Sequence, residues 1–299
     1  MSKMTMQMQL AALAVVVASP LLAQGDWAAV DKALGRSGAQ QPGGVYKYSF
    51  PRGDLEVTAG GVRVRPALAL GTWVAFKKTS DGKALAMGDL VLSADELPTV
   101  MSRLQQGGVE QMAVHNHLSG EMPHVVYMHI MGKGDAEAIG RTIHDALSTT
   151  KTPLAPPPSV TPLRLDLDTM AVSSALGFAG KGSGGVYQVS VPRPEVIREN
   201  GDEIPPSMGV ATAINFQPTS AGRAVATGDF VLLPSEVNPV IRALRANGIA
   251  VTALHSHLLM DQPHVLFMHF WGDDDAAKLA RGLRAALDAT AMSPSRAGK

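Results

Sequence analysis

An α+β chain of two tandem duplicated domains, each a mainly antiparallel sheet with helices packed on it, is the architecture this sequence predicts, on three observations. A histidine-rich stretch is written twice. It runs Val114-His115-Asn116-His117-Leu118, on to Pro123-His124 and Met128-His129, and then Leu254-His255-Ser256-His257-Leu258, on to Pro263-His264 and Met268-His269. The strand-like and helix-like segments around that stretch repeat at a constant spacing of 140 residues, from Phe76/Phe216 to Leu147/Leu287. Between the copies, residues 151–163 form a proline-rich linker, stiff and extended. The expected domains are 24–150 and 164–299, and their period is far too long for a solenoid.

The elements follow in order. Trp27 to Leu34 reads as a short helix stopped by Gly35, with Met170 to Gly177 as its counterpart. Val45 to Arg52 and Val186 to Arg193 alternate as strands do. Two further strands are expected in each copy, Ala67 to Phe76 with Ala84 to Leu92 and Met208 to Phe216 with Ala224 to Leu232, joined at Ser80-Asp81-Gly82 and Ser220-Ala221-Gly222. Gly88-Asp89 and Gly228-Asp229 within these strands more often mark a bulge or a close backbone approach than a ligand. Ser93-Ala94-Asp95-Glu96 matches a capping box ahead of Leu97, Val100, Met101 and Leu104, which share one helical face; Val237, Val240, Ile241 and Leu244 repeat it. Each copy closes on a helix, Ala136 to Leu147 and Ala276 to Leu287, for which Asp135 and Asp275 are the expected N-caps.

Composition narrows the chemistry. The 299 residues are 45% hydrophobic with a formal net charge of +0, enough for a core in each copy. No Lys/Arg block offers the footprint that phosphate binding needs, so no nucleic-acid partner is expected. Residues 1–23, with Lys3, an apolar run from Leu10 to Ala18 and Pro20-Leu21-Leu22-Ala23, read as a secretory signal peptide. Its apolar run is shorter than the roughly 20 residues of a membrane span. The expected location is therefore periplasmic or secreted, with no membrane association after signal cleavage. Cys is absent, which excludes disulfides, thiolate ligands and a cysteine nucleophile. Any metal must rest on imidazole and carboxylate.

Eight of the 9 histidines lie in the repeated stretches. On a strand His115 and His117 point one way and Asn116 the other. A turn from Leu118 to Pro123, centred near residue 122, brings the return strand Val125 to Met131 back with His129 opposite His115. Three imidazoles, His115, His117 and His129, then converge with a fourth position open, and His255, His257 and His269 do the same in the second copy. That is a catalytic-type zinc arrangement, although Mn, Fe, Ni and Cu accept the same donors. The cofactor expected is a transition metal, zinc favoured. His124 and His264, directly after proline, are additional candidates as a fourth ligand, a supporting donor or a proton carrier. The alternative is a structural polar cluster or a proton-linked ligand site without metal.

Glu121 and Asp261 hold the same place in the two turns and are the candidate acid or base groups beside the histidines. Arg52 and Arg193 are either surface-turn residues or anchors for a substrate carboxylate. No G-x-S-x-G elbow, H-E-x-x-H helix, Walker loop or dinucleotide fingerprint is present, which removes the main support for serine hydrolase and nucleotide chemistry.

The two stretches resemble the LppY/LpqO family, also called the DUF1259 domain, of secreted or lipid-anchored bacterial proteins of unknown function. The likeness rests on the H-N-H-L or H-S-H-L start, the Pro-His turn, the Phe267-Met268-His269-Phe270-Trp271-Gly272 type of return, the Asp that follows and the closing helix, in Ala113 to Asp135 and Ala253 to Asp275. Lipid-anchored members carry a cysteine that this chain lacks, so the resemblance implies free periplasmic residence. A weaker likeness is to acetolactate decarboxylase, an α+β protein whose H-x-H strand and later histidine bind zinc. It implies zinc at His115, His117, His129 and at His255, His257, His269, but the glycines before the last histidine do not match and the reaction is not carried over. Two classes of function stay open. One is a metalloenzyme hydrolysing or decarboxylating a small carboxylate or ester; the other is a non-catalytic protein that binds or senses metal or a small ligand.

Overall fold

The computed structural model describes residues 27–156 and 163–292. The expected signal peptide and most of the linker's prolines lie outside the described residues. The first repeat runs α1 (Ala28–Leu34), β1 (Ala39–Gln41), β2 (Val45–Pro51), β3 (Thr58–Ala59), β4 (Val62–Arg63), α2 (Pro66–Ala69), β5 (Gly71–Lys78), β6 (Ala84–Ser93), α3 (Leu97–Gln106), β7 (Glu110–His115), β8 (Val125–Gly134) and α4 (Ala136–Leu147). The second runs α5 (Thr169–Leu176), β9 (Lys181–Ser183), β10 (Val186–Pro192), β11 (Ile197–Glu199), β12 (Asp202–Ile204), a 3-10 turn (Pro206–Met208), β13 (Ala211–Ser220), β14 (Arg223–Leu232), α6 (Val237–Ala246), β15 (Ala250–His255), β16 (Asp261–Gln262), β17 (Leu266–Asp275) and α7 (Ala276–Asp288).

Each repeat builds one six-stranded sheet, β1-β2-β5-β6-β8-β7 and β9-β10-β13-β14-β17-β15, antiparallel throughout. The α+β class and the tandem organisation therefore hold. Most predicted elements stand within a few residues of their expected ends. The strands expected to begin at Ala67 and Met208 are exceptions, starting instead at Gly71 and Ala211. Pro66 and Pro206 each open a short helical turn there, since proline's fixed φ suits the first helical position. The capping box forms by half: Glu96 accepts from the Ser93 N–H at 2.9 Å, but no side chain caps α3. Asp135 and Asp275 do cap, accepting from Ala138 N and Lys278 N at 2.8 Å each.

The helices cover only one face of each sheet. In β6, Ala84, Ala86, Leu90 and Leu92 pack against α1, α3 and α4 in the first helical core. The alternate residues Leu85, Met87 and Val91 belong to two other clusters that contain residues of both repeats. Val45, Ala75, Leu85 and Met87 meet Ile197, Met208, Val231 and Phe267 in one, and Val91, Val125 and Tyr127 meet Val186 and Val225 in the other. The two sheets thus lie face to face between two helical layers. Hydrogen bonds stitch the seam: Gln217 accepts from Arg65 N and donates to Arg63 O at 2.9 Å each, and Asn215 donates to Leu68 O at 3.1 Å. The described start of the linker is tied to the first repeat, with Lys151 N donating to Glu96 at 2.9 Å and Arg36 to Ala155 O at 2.8 Å.

Candidate metal centre between the repeats

Each histidine hairpin is placed by its return strand. β8 lies between β6 and β7, pairing His115 with Tyr127 and Ala113 with His129, with an irregularity between Gln111 and Ala113. β17 pairs His255 with Phe267 and Ala253 with His269 in the same way. The hairpin centre is therefore near residue 121, and His129 sits two residues along from its expected partner. A shift of two residues keeps the face, so His115 and His129 still point to the same side. His117 follows the end of β7, its ring stacked on Tyr127 at 3.5 Å between centroids, and its carbonyl takes a 2.6 Å hydrogen bond from Thr252 of the other repeat.

The side they share is the seam between the sheets. The two triads, expected as separate sites, are stacked ring on ring: His115 on His255 with centroids 3.9 Å apart, His117 on His269 at 3.9 Å and His129 on His257 at 3.6 Å. These contacts obey an internal two-fold. His115 and His255 are equivalent, and exchanging the repeats turns the second contact into the third. A pseudo-dyad passes between His115 and His255, and all six imidazoles lie around it. Separate sites were expected because nothing in a one-dimensional repeat says that the two copies face each other.

Two aspartates close the group. Asp89 pairs across the strands with His129 and Asp229 with His269. Asp89 Oδ2 is 3.6 Å from His117 Nε2 and 3.7 Å from His129 Nε2, while Asp229 lies 3.9 Å from both His257 Nδ1 and His269 Nδ1. The Gly-Asp pairs, expected as a bulge or close backbone approach more often than as a ligand, keep half of that structural reading. A Cβ on Gly88 would come within 2.7 Å of Trp73 O and one on Gly228 within 1.9 Å of Ala213 O, so backbones do approach closely, although the β6/β8 register runs without a bulge. The missed signal was an acidic residue at the same place in both copies, inside strands whose other residues are mostly apolar.

The polar atoms here lack partners. Asp89 Oδ1, His115 Nδ1, His129 Nε2, Asp229 Oδ1, His255 Nδ1, His257 Nδ1 and His269 Nε2 are all buried without a hydrogen bond. Such orphans each cost on the order of 1–3 kcal/mol unless something binds them. His269 Nδ1 faces Gly228 O at 2.9 Å, so the proton sits on Nδ1 and the Nε2 lone pair is left free. His115 Nε2 is 3.0 Å from His117 Nε2, and His255 Nε2 is 2.8 Å from His257 Nε2. One ring can donate to the other in each pair. Two nitrogens on one ion, with metal–nitrogen bonds of about 2.0–2.1 Å, would stand about 2.9–3.3 Å apart at angles from 90° to tetrahedral.

Protonation favours ligation. Burial drives every imidazole of the cluster down, alone at His255, to about 4, and with repulsion from neighbouring rings at the others, His269 to about 3, so the rings are neutral with lone pairs available. Burial raises Asp89 to about 7 against the pull of Lys47, and burial with the Asp89 charge raises Asp229 well above the usual range. Two groups can hold a metal ion: His115, His255, His257 and His269, and His115, His117 and His129, with candidate ligand atoms within 4.8 Å of one another in each. His115 belongs to both.

The remaining candidates lie apart from these groups. His124 Nδ1 is 2.7 Å from Glu121 and His264 Nδ1 is 2.9 Å from Asp261, with both rings about half exposed. Glu121 also accepts from Val125 N at 3.3 Å and Asp261 from Val265 N at 2.6 Å, so both carboxylates brace the hairpin turns. Arg52 and Arg193, expected in surface turns or at a substrate, are buried ion-pair centres instead. Arg52 reaches Asp54 at 2.8 Å and Glu96 at 2.9 Å, and Arg193 reaches Glu195 at 2.9 Å and Glu236 at 2.7 Å.

Fold and centre together define a tandem-repeat α+β protein with a histidine cluster at its internal dyad. The chain belongs to the family described as Domain of Unknown Function (DUF1259), whose model matches residues 28–149 and 170–289. The resemblance expected from the histidine stretches thus holds in both repeats. A comparison with curated proteins finds no match. Among solved structures, a trimeric bacterial microcompartment shell protein, PduB, is 13% identical over 88% of this chain and 93% of that one, with a TM-score of 0.24. EtuB from Clostridium kluyveri is 10% identical over 84% and 91%, with a TM-score of 0.20. At scores this low neither likeness bears on fold or function.

Proposed function

We propose that this is an exported metal-binding protein whose six histidines and two aspartates hold transition metal at the seam between its repeats, zinc being favoured by the nitrogen-rich donor set. The observation that carries the reading is the set of seven buried, partnerless nitrogen and oxygen atoms converging on one dyad. A purely structural polar cluster would pair its members, because unpaired buried polar atoms destabilise the fold.

Binding or sensing of metal is better supported than turnover. Glu121 and Asp261, the acid or base candidates, brace their turns, although Glu121 Oε2 is buried without a hydrogen bond. One observation favours the second reading, hydrolysis or decarboxylation of a small carboxylate or ester. Asp89 Oδ2 stands 3.6 Å from His117 Nε2 and 3.7 Å from His129 Nε2, a carboxylate beside the rings where a general acid or base is needed.

Elemental analysis of protein purified without a histidine tag tests the metal. At least one equivalent of a transition metal is expected, and the His255→Ala/His257→Ala variant should lose most of it. Less than about 0.1 equivalent in the parent, with none taken up on addition, would sink both readings.

A further inference from the structure

The internal two-fold is obeyed by the histidines but broken by their surroundings. Lys47 on β2 and Gln188 on β10 occupy matching places, in Val45-Tyr46-Lys47 and Val186-Tyr187-Gln188. Lys47 Nζ lies 3.8 Å from the Trp73 ring centroid and 3.3 Å from Ser207 O. Trp73 is the cross-strand neighbour of Asp89 and stands edge-on to His129, with centroids 6.5 Å apart. The second repeat puts Ala213 opposite Asp229, and Gln188 turns to Ala67 O at 2.8 Å. An ammonium ion therefore stands over the tryptophan that neighbours Asp89 across the strands and meets His129 edge-on, while an uncharged amide occupies the matching place in the other repeat. Donor number is unequal in the same sense, with four imidazoles grouped at the Asp229 end and three at the Asp89 end.

Resting on the metal-centre reading, we infer that the centre consists of two unequal half-sites: metal loads first at His115, His255, His257 and His269 beside Asp229, and Lys47 keeps the His117, His129 and Asp89 end the weaker. The ammonium acts in two ways. It satisfies part of the Asp89 charge that a divalent ion would otherwise use, and it repels that ion. Because His115 is common to both donor groups, filling the first half-site also withdraws one donor from the second.

Titration of the metal-free full chain with Co²⁺, followed by its visible ligand-field bands and repeated with Zn²⁺ by calorimetry, tests this. The parent should show one tight equivalent and a second weaker by about tenfold or more. Lys47→Gln, which installs the second repeat's residue, should tighten the second equivalent by about tenfold and leave the first unchanged. His129→Ala should abolish the weak phase and keep the tight one, with the melting curve of each variant reporting its fold. Two equivalents of indistinguishable affinity in the parent, or a single equivalent in both the parent and Lys47→Gln, would overturn the unequal half-sites while leaving metal binding intact. A gap between phases that Lys47→Gln does not change would overturn the role of Lys47. Absence of uptake by every variant would remove the metal reading itself and this inference with it.

Discussion

Asp229 has two histidine rings within 4 Å and a buried oxygen without a hydrogen bond, and the proposed metal centre makes it a donor whose removal can be tested apart from the fold. Replacement by Asn keeps the shape and removes the anionic donor. Asp229→Asn is therefore expected to leave the melting temperature of chelator-treated protein almost unchanged and to weaken the first metal equivalent roughly 10–100-fold. Melting curves with and without added Zn²⁺ read both quantities, and equal stability losses in the two states would show a structural role instead. The histidines were legible at this scale because their type, spacing and repetition survive in one dimension. Asp89 and Asp229 were not, because an acidic residue in a strand gains its meaning from the neighbour across the sheet and from the second sheet above it.

The strands that carry these side chains depend on two local devices. Gly228 lets β13 pass so close that a Cβ would meet Ala213 O at 1.9 Å, whereas at Gly88 the corresponding distance, to Trp73 O, is 2.7 Å. Gly228→Ala must push β13 off β14 beside Asp229. It is expected to cost about 1–3 kcal/mol and more than Gly88→Ala, with denaturant midpoints giving the comparison. The other device is the buried guanidinium at the end of the first long strand. Arg52 binds Asp54 and Glu96 and donates to Val91 O, tying β2 to β6 and to the entry of α3. Arg52→Met strands two carboxylates and is expected to cost about 3–5 kcal/mol. Burial alone would raise Glu96, but Arg52 and the N–H groups of Lys151 and Ser93 hold it below its usual value of 4.5. A carboxylate depressed in the folded state stabilises above its unfolded value and loses that contribution as pH falls through the folded one. Stability of the parent should therefore drop below about pH 4.5, and Arg52→Met should show a shallower acid slope in the same titration. Helix ends and strand positions were readable here from glycine, aspartate and alternation. Arg52 was not, since a Pro-Arg pair at a strand end looks the same whether it ends in solvent or under a helix.

At the scale of the molecule, the hidden feature was the partner of each sheet's second face. β6 is apolar at nearly every position, Ala84-Leu85-Ala86-Met87, which suits a strand covered on both sides, yet helices account for only one cover. The other cover is the second repeat, which a proline-rich linker, stiff and extended, does not reveal. The seam is extensive enough that the covalent connection should be dispensable. Val45, Met208, Val231, Val265 and Phe267 are fully buried in it, and a large aliphatic or aromatic side chain contributes about 1.5–3 kcal/mol when fully buried. A protease site placed within residues 157–162 and cleaved under native conditions should yield two fragments that co-elute on gel filtration and keep the metal content of the uncut chain. Metal bound through His115 of one fragment and His255, His257 and His269 of the other would add to that association, so chelation should lower the denaturant needed to part them. Fragments that separate without denaturant would mean that the sheet-to-sheet seam is too weak to form the centre by itself. Co-elution with unchanged metal content would locate the centre's assembly in the packing of the repeats and not in the linker.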